Sequence, residues 1–203
     1  MAGWQTHGGQ AVALDLESVD TDQLIPARFM ATPRSQGYGG FLLHDFRFDA
    51  DGSPADGFVL NRHPTASILV TRRNFGSGSS REAAVYALVD FGIRAVIAPS
   101  FGDIFAANAV NNGLLPARVA DTDALIAALG DGVQSATIDI AASTVSVGAM
   151  TVSFALDASW RKKLVNGWDD IDLTQAYAPQ IARFRAERAR AAPWIFENEQ
   201  TNR

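Results

Sequence analysis

The residues best equipped for chemistry fall in one nine-residue stretch, Asn74-Phe75-Gly76-Ser77-Gly78-Ser79-Ser80-Arg81-Glu82. An apolar run precedes it and a helical pattern follows it, so it reads as the turn between a strand and a helix. Gly76 and Gly78 permit positive backbone dihedrals and a close approach by a ligand. The first amides of a helix lack partners within it and attract a carboxylate or phosphate. Ser79-Ser80-Arg81-Glu82 also fits the capping box, in which a serine caps the helix and a glutamate three residues on caps back. Ser79 is therefore expected to cap. Arg81 is expected in the first helical turn, where the helix dipole disfavours a cation. An anion beside it would offset that, and a guanidinium can grip a carboxylate through two parallel hydrogen bonds.

Several other chemistries are excluded. A Rossmann fingerprint needs a third glycine where this chain has Arg81, and a Walker loop needs a lysine before its serine or threonine. Neither Ser79 nor Ser80 has the flanking glycines of a nucleophile elbow. The chain has no cysteine, which removes disulfides and any thiolate-held zinc or iron–sulfur site within it. His7, His44 and His63 are the three histidines, none at metal-ligand spacing from another. His44 lies in an aromatic stretch and reads as a partly buried structural residue. No metal ligand is expected in this chain. A net charge of -5 gives no electrostatic reason to expect nucleic acid or an acidic membrane surface. No apolar run approaches the roughly 20 residues that span a bilayer. Met1 to Gln5 lacks a basic segment leading into an apolar core, so no signal peptide is expected and the protein reads as cytoplasmic.

The elements that must position the central turn can be placed. Gln10 to Leu14 and Ser67 to Thr71 read as strands, and Ala95 to Ala98 as another. Ala83, Ala84, Ala87, Leu88 and Phe91 recur at helical spacing, with Gly92 as the stop. Strand, helix and strand within about 30 residues make a βαβ unit with parallel strands. A second helix is expected over Ser100 to Ala109, an extended piece over Pro116 to Ala120, and a helix over Thr122 to Leu129. Thr137 to Ile140, Thr144 to Val147 and Thr151 to Ala155 read as antiparallel strands. A helix ends near Asn166-Gly167, and Gln175 to Ala191 reads as one helix rich in alanine and arginine. Asp20 and Asp22, flanking Thr21, look like helix or turn caps on composition alone. Ala31 to Gly40 carries Arg34 and Tyr38 and reads as a mobile loop. With 203 residues, 47% of them apolar, the chain can build one sizeable core.

The chain resembles the small subunits of 3-isopropylmalate dehydratases, in the aconitase superfamily. The segments that carry the resemblance are Val19-Asp20-Thr21-Asp22 with Ile25-Pro26 and Phe29; Gly37-Tyr38-Gly39 with Asp45-Phe46-Arg47; and Asn74 to Glu82. Ala98-Pro99-Ser100-Phe101 with Asp103-Ile104-Phe105, Asn111 to Pro116, and Asn166-Gly167 through Leu173 continue it. It implies an α/β fold, the swivelling β/β/α domain of aconitase. Such a domain has a mixed sheet with a central βαβ unit, here filling residues 1–203 with a C-terminal helical extension from about 158. It implies a hydro-lyase of leucine biosynthesis that interconverts 2-isopropylmalate and 3-isopropylmalate. A large subunit, a separate chain, would hold a [4Fe-4S] cluster whose open iron binds the substrate hydroxyl, and the isolated small chain would be inactive. In that family Ser79 matches the base, Arg81 the grip on a substrate carboxylate, and Ser80 a contact to substrate oxygens; Asp20, Thr21 and Asp22 belong to a loop shaping the substrate site. Three positions depart from the family pattern: Ala83 replaces a histidine, Ser77 a cysteine, and Ala31 to Gln36 lacks the usual basic residues after the phenylalanine. A related hydro-lyase acting on citraconate, methylmalate or dimethylmalate fits the same motifs, as does a non-catalytic module that binds a partner or an anion.

Overall fold

Strand β1 (Thr6–Leu14) lies at the middle of a seven-stranded mixed sheet. The computed structural model describes residues 2–196. On one side of β1 lie β2 (Ile68–Thr71), β3 (Ala95–Ala98) and β4 (Leu115–Arg118), all parallel to their neighbours. On the other side are β5 (Val133–Asp139), β6 (Thr144–Val147) and β7 (Met150–Ser153), all antiparallel. The expected α/β class, with a mixed sheet around a βαβ unit, holds.

The short strands β2 and β3 are buried at every residue, as parallel strands covered on both faces must be. Their side chains alternate between two cores. Val12 and Leu14 of β1, Leu69 of β2 and Val96 of β3 join the first, with helices α4 (Glu82–Phe91) and α5 (Asp103–Asn111). Ala11, Ala13, Ile68, Val70 and Ile97 join the second, with helix α6 (Asp123–Leu129) and with Ile138 and Val145 of the antiparallel strands. Helix α4 connects β2 to β3, and α5 connects β3 to β4, so the expected βαβ unit is repeated. Three one-turn helices, α1 (Thr21–Leu24), α2 (His44–Arg47) and α3 (Val59–Arg62), lie between β1 and β2.

Contacts divide the chain into residues 1–168 and 169–203. Helix α7 (Ala158–Asn166) belongs to the first unit: Leu164 is fully buried, and the Trp4 amide donates to its carbonyl. The expected glycine stop is present, with Gly167 at φ 72°. The second unit corrects one expectation. Residues 175–191 do not form one helix; α8 (Asp170–Gln175) ends, and α9 (Ala178–Ala191) begins with Pro179 in its first turn. Proline has no amide to donate back to Gln175, so the helix restarts with the ring where no donor is needed.

Candidate active site

The 74–82 turn leaves the C-terminal end of β2 and enters α4. Phe75 anchors it: fully buried, its ring meets Phe105 edge-on at 5.4 Å and Phe101 at 6.4 Å. Gly76 follows at φ 72° and donates its amide to the Val19 carbonyl at 2.7 Å. The positive φ favours glycine and the packing requires it, since a Cβ here would come within 2.6 Å of both Cδ atoms of Phe105. The backbone then reverses at Gly78, φ 94°, and Ser79 and Ser80 face outward, both exposed. Neither serine hydroxyl has a hydrogen-bond partner among the described residues.

The structure corrects the expected capping box. Ser79 does not cap α4; the helix begins at Glu82 with Arg81 as N-cap in extended conformation, and no side chain caps it. The Arg81 amide donates to the Ser79 carbonyl at 2.8 Å, which closes a tight turn ahead of the helix. The helix start thus keeps amides that no side chain among the described residues covers, the condition for anion binding. The Glu82 carboxylate turns instead to the Asn112 amide at 2.9 Å. Burial, and then the nearby Glu82 carboxylate, push the Tyr86 phenol above its ordinary pKa.

The Asp20–Asp22 segment is brought directly onto this turn. Asp20 and Ser77 form a parallel bridge, and the Thr21 amide donates to the Ser77 carbonyl at 2.9 Å. Thr21, 2% exposed, donates its hydroxyl to the Ser79 carbonyl at 3.0 Å. A capping box does exist here: Asp20 accepts from the Gln23 amide at 2.8 Å, and the Gln23 side chain accepts from the Asp20 amide at 2.9 Å. Asp22 is ion-paired with Arg81. The anion inferred beside Arg81 is therefore in part the chain's own. That pair uses Nη1 of Arg81; its other guanidinium nitrogens have no partner among the described residues and can take a second carboxylate. All six candidate residues, Asp20, Thr21, Asp22, Ser79, Ser80 and Arg81, thus share one locus. Thr21 is the buried member of the six, and its hydroxyl reaches the Ser79 backbone.

The loop expected to be mobile is docked. Residues 31–40 contain one short 3-10 turn (Arg34–Gln36) and enter another (Gly39–Phe41). Arg34 pairs with Asp90 on α4 through two hydrogen bonds of 2.6 and 2.8 Å. Arg47 donates to the Gly39 and Leu42 carbonyls and to Asn61, over the Phe91 ring. Burial lowers the pKa of Arg47. Sequence reasoning missed Asp90 and Asn61, and their separation from their partners leaves no local signal. His44 is structural as expected, packed between Phe29 at 4.6 Å and Phe48 at 4.7 Å. An open cleft of about 510 Å³ lies elsewhere, lined by Leu14, Leu16, Phe46, Phe58, Val59 and Ile126, and includes none of the six.

The aconitase C-terminal domain family model matches residues 1–122. The chain belongs to the aconitase C-terminal domain family. Within it, the chain is 42% identical to a 3-isopropylmalate dehydratase small subunit of Shouchella clausii, over 89% of this chain and 93% of the relative. Proteins of the same name from Shewanella baltica and Caulobacter vibrioides are 45% and 43% identical, each over 92% of this chain and 97% or 95% of theirs. A crystal structure of 3-isopropylmalate dehydratase from Methanocaldococcus jannaschii superposes with a TM-score of 0.66 at 25% identity, covering 88% of this chain and 98% of that one. The resemblance read from the motifs is borne out.

Aconitase kinship points to a [4Fe-4S] cluster in the enzyme. The residues of this chain do not fit one: it has no cysteine, and no three His, Asp or Glu side chains are grouped to hold a metal among the described residues. Nor is any helix among those residues long and apolar enough to cross a membrane.

Proposed function

We propose that this chain is the small subunit of a 3-isopropylmalate dehydratase, a hydro-lyase interconverting 2-isopropylmalate and 3-isopropylmalate in leucine biosynthesis. The observation that carries the reading is the convergence of an exposed Ser79, an arginine with unused donors and an uncapped helix start, in a chain 42–45% identical to proteins of that name. Ser79 Oγ, as the alkoxide, takes the proton from the carbon next to a substrate carboxylate. Arg81 holds that carboxylate, and Ser80 with the free amides holds its oxygens. A serine alkoxide is a strong base that water would protonate, so it needs preorganised donors and a dry site. The amides and Arg81 supply the donors. Dryness is not available in this chain alone, because Ser79 and Ser80 are exposed. A large subunit closing over the turn supplies it, and that subunit carries the cluster. Asp20, Thr21 and Asp22 fix the turn, with Asp22 setting the orientation of Arg81.

Coexpression with a cluster-bearing large subunit tests this. The pair copurifies and turns over 2-isopropylmalate in preference to citraconate, methylmalate and dimethylmalate, while this chain alone does not. Failure to copurify, or preference for another of these acids, would overturn the assignment.

A further inference from the structure

The chains that leave β1 and β2 stay paired beyond the ends of those strands. Leu14 lies opposite Thr71 at the last rung of the sheet, and Asp20 lies opposite Ser77 an equal number of residues further on. Between those rungs the Ser18 amide donates to the Arg73 carbonyl at 2.9 Å, and the Gly76 amide to the Val19 carbonyl at 2.7 Å. Both chains bend in this interval. Each does so through a residue in the left-handed region, Ser18 at φ 56° and Asn74 at φ 62°. Neither is a glycine. Asparagine tolerates that conformation; a serine there is strained and is held by its surroundings.

The two bent residues are bonded to each other: Asn74 Nδ2 donates to Ser18 Oγ at 3.1 Å. The Asn74 amide also donates to Ser100 Oγ at 2.8 Å, and the Phe75 amide to the Ser100 carbonyl at 3.1 Å. Asn74 thus joins the loops that follow β1, β2 and β3, at the point where the chain turns toward Ser79. Ion pairs also link the first two loops: Asp15 with Arg72, Glu17 with Arg73, and Asp22 with Arg81. A long arginine side chain can reach its partner from many backbone positions, so such pairs leave the spacing of the chains loose. Asparagine and serine are short, and a bond between their side chains fixes the distance between the two backbones.

We infer that Asn74 is a positioning residue for the base. It touches no reacting atom. By locking the two bends together it sets the direction in which the Ser79–Arg81 turn leaves the sheet, and so where Ser79 stands against a substrate carbon. The inference rests on the proposed role of Ser79. Ser18 and Asn74 are both exposed, and one neutral hydrogen bond at the surface adds little to stability. Glycine at either position also relieves the left-handed strain. Catalysis and folding therefore separate in the test.

The test uses the reconstituted two-subunit enzyme with Asn74→Gly, Ser18→Gly and the double variant. Each keeps the left-handed backbone and deletes the bond. Each single variant should lower kcat about 10- to 100-fold, with Tm within about 4 °C of the wild type and copurification of the large subunit unchanged. The double variant should lose no more than the larger single loss, because all three delete the same bond. Losses that multiply in the double variant would overturn the inference. So would a kcat within about twofold of the wild type in either single variant, or a fall in kcat that comes with loss of copurification in both. If Asn74→Gly alone fails to assemble, Ser18→Gly breaks the same bond from the other side and must show the fall in kcat; no fall overturns the inference. Ser79→Ala separates the two failures. If it keeps turnover, the proposed role of Ser79 falls and this inference with it; if it is inactive, indifferent Asn74 and Ser18 variants overturn the inference alone.

Discussion

Replacing Gly76 with alanine attacks the site through its backbone. Gly76 is buried at φ 72°, and its amide holds the Val19 carbonyl ahead of the Asp20–Asp22 segment. Two costs add. A left-handed residue bearing a Cβ costs about 1–2 kcal/mol. The new methyl also overlaps the Phe105 ring, which is 4% exposed and bounded by Phe75 and Phe101, so it has little room to retreat. Overpacking of that kind costs about 1–3 kcal/mol. The sum, about 2–5 kcal/mol, corresponds to a loss of about 4–20 °C in Tm for a chain of this size. Gly78→Ala is the control. Its φ is 94°, but its Cβ would meet Asp20 Cβ at 3.5 Å and Thr21 Oγ1 at 3.6 Å, ordinary contacts. It should pay only the backbone cost of about 1–2 kcal/mol. Thermal denaturation followed by circular dichroism measures both, and Phe105→Leu combined with Gly76→Ala should recover part of the larger loss. Equal shifts for the two glycines, or no recovery from Phe105→Leu, would refute the packing argument.

Two further outcomes follow from single contacts. Thr21→Val keeps the buried shape and deletes the hydroxyl that donates to the Ser79 carbonyl; urea denaturation should show a loss of about 1 kcal/mol, and turnover of the assembled enzyme should fall with subunit affinity unchanged. Unchanged turnover would remove Thr21 from the positioning of Ser79. Burial, and then the Arg94 charge, hold the His7 imidazole below its ordinary value of 6.5, while its Nε2 lies 2.9 Å from Ser67 Oγ. A depressed folded value favours the neutral ring, so its contribution is intact above pH 6.5 and is lost as pH falls through the folded value. Denaturation midpoints should therefore drop on acidification more in the wild type than in His7→Gln; parallel curves would contradict it.

The legible parts of the fold were those with a local cause. Ile68 to Thr71 and Ala95 to Ala98 are β-branched or apolar at every step, and both became fully buried parallel strands. The start of β1 was not legible, because His7-Gly8-Gly9-Gln10 has no apolar alternation; it is a strand because β5 pairs with it from Thr6 to Val12. Ser79–Glu82 and Asp20–Gln23 both satisfy the same short capping-box rule, and tertiary contacts decide that it forms at Asp20–Gln23 and not at Ser79–Glu82. The site depends on tethers across long gaps: Thr21 to Ser79, Asp22 to Arg81, Ser18 to Asn74. No spacing or propensity joins residues so far apart. The family resemblance grouped the first two segments as motifs, and the structure supplied the bonds between them.

The central claim, that Ser79 is the base of a site completed by a second chain, is tested most directly by turnover of Ser79→Ala in the reconstituted enzyme. Ser79 neither caps α4 nor makes a side-chain bond among the described residues, so its loss should leave folding and assembly intact. The account predicts a fall in kcat of about 100- to 10,000-fold with normal copurification of the large subunit. Near-wild-type turnover from that assembled variant would contradict it.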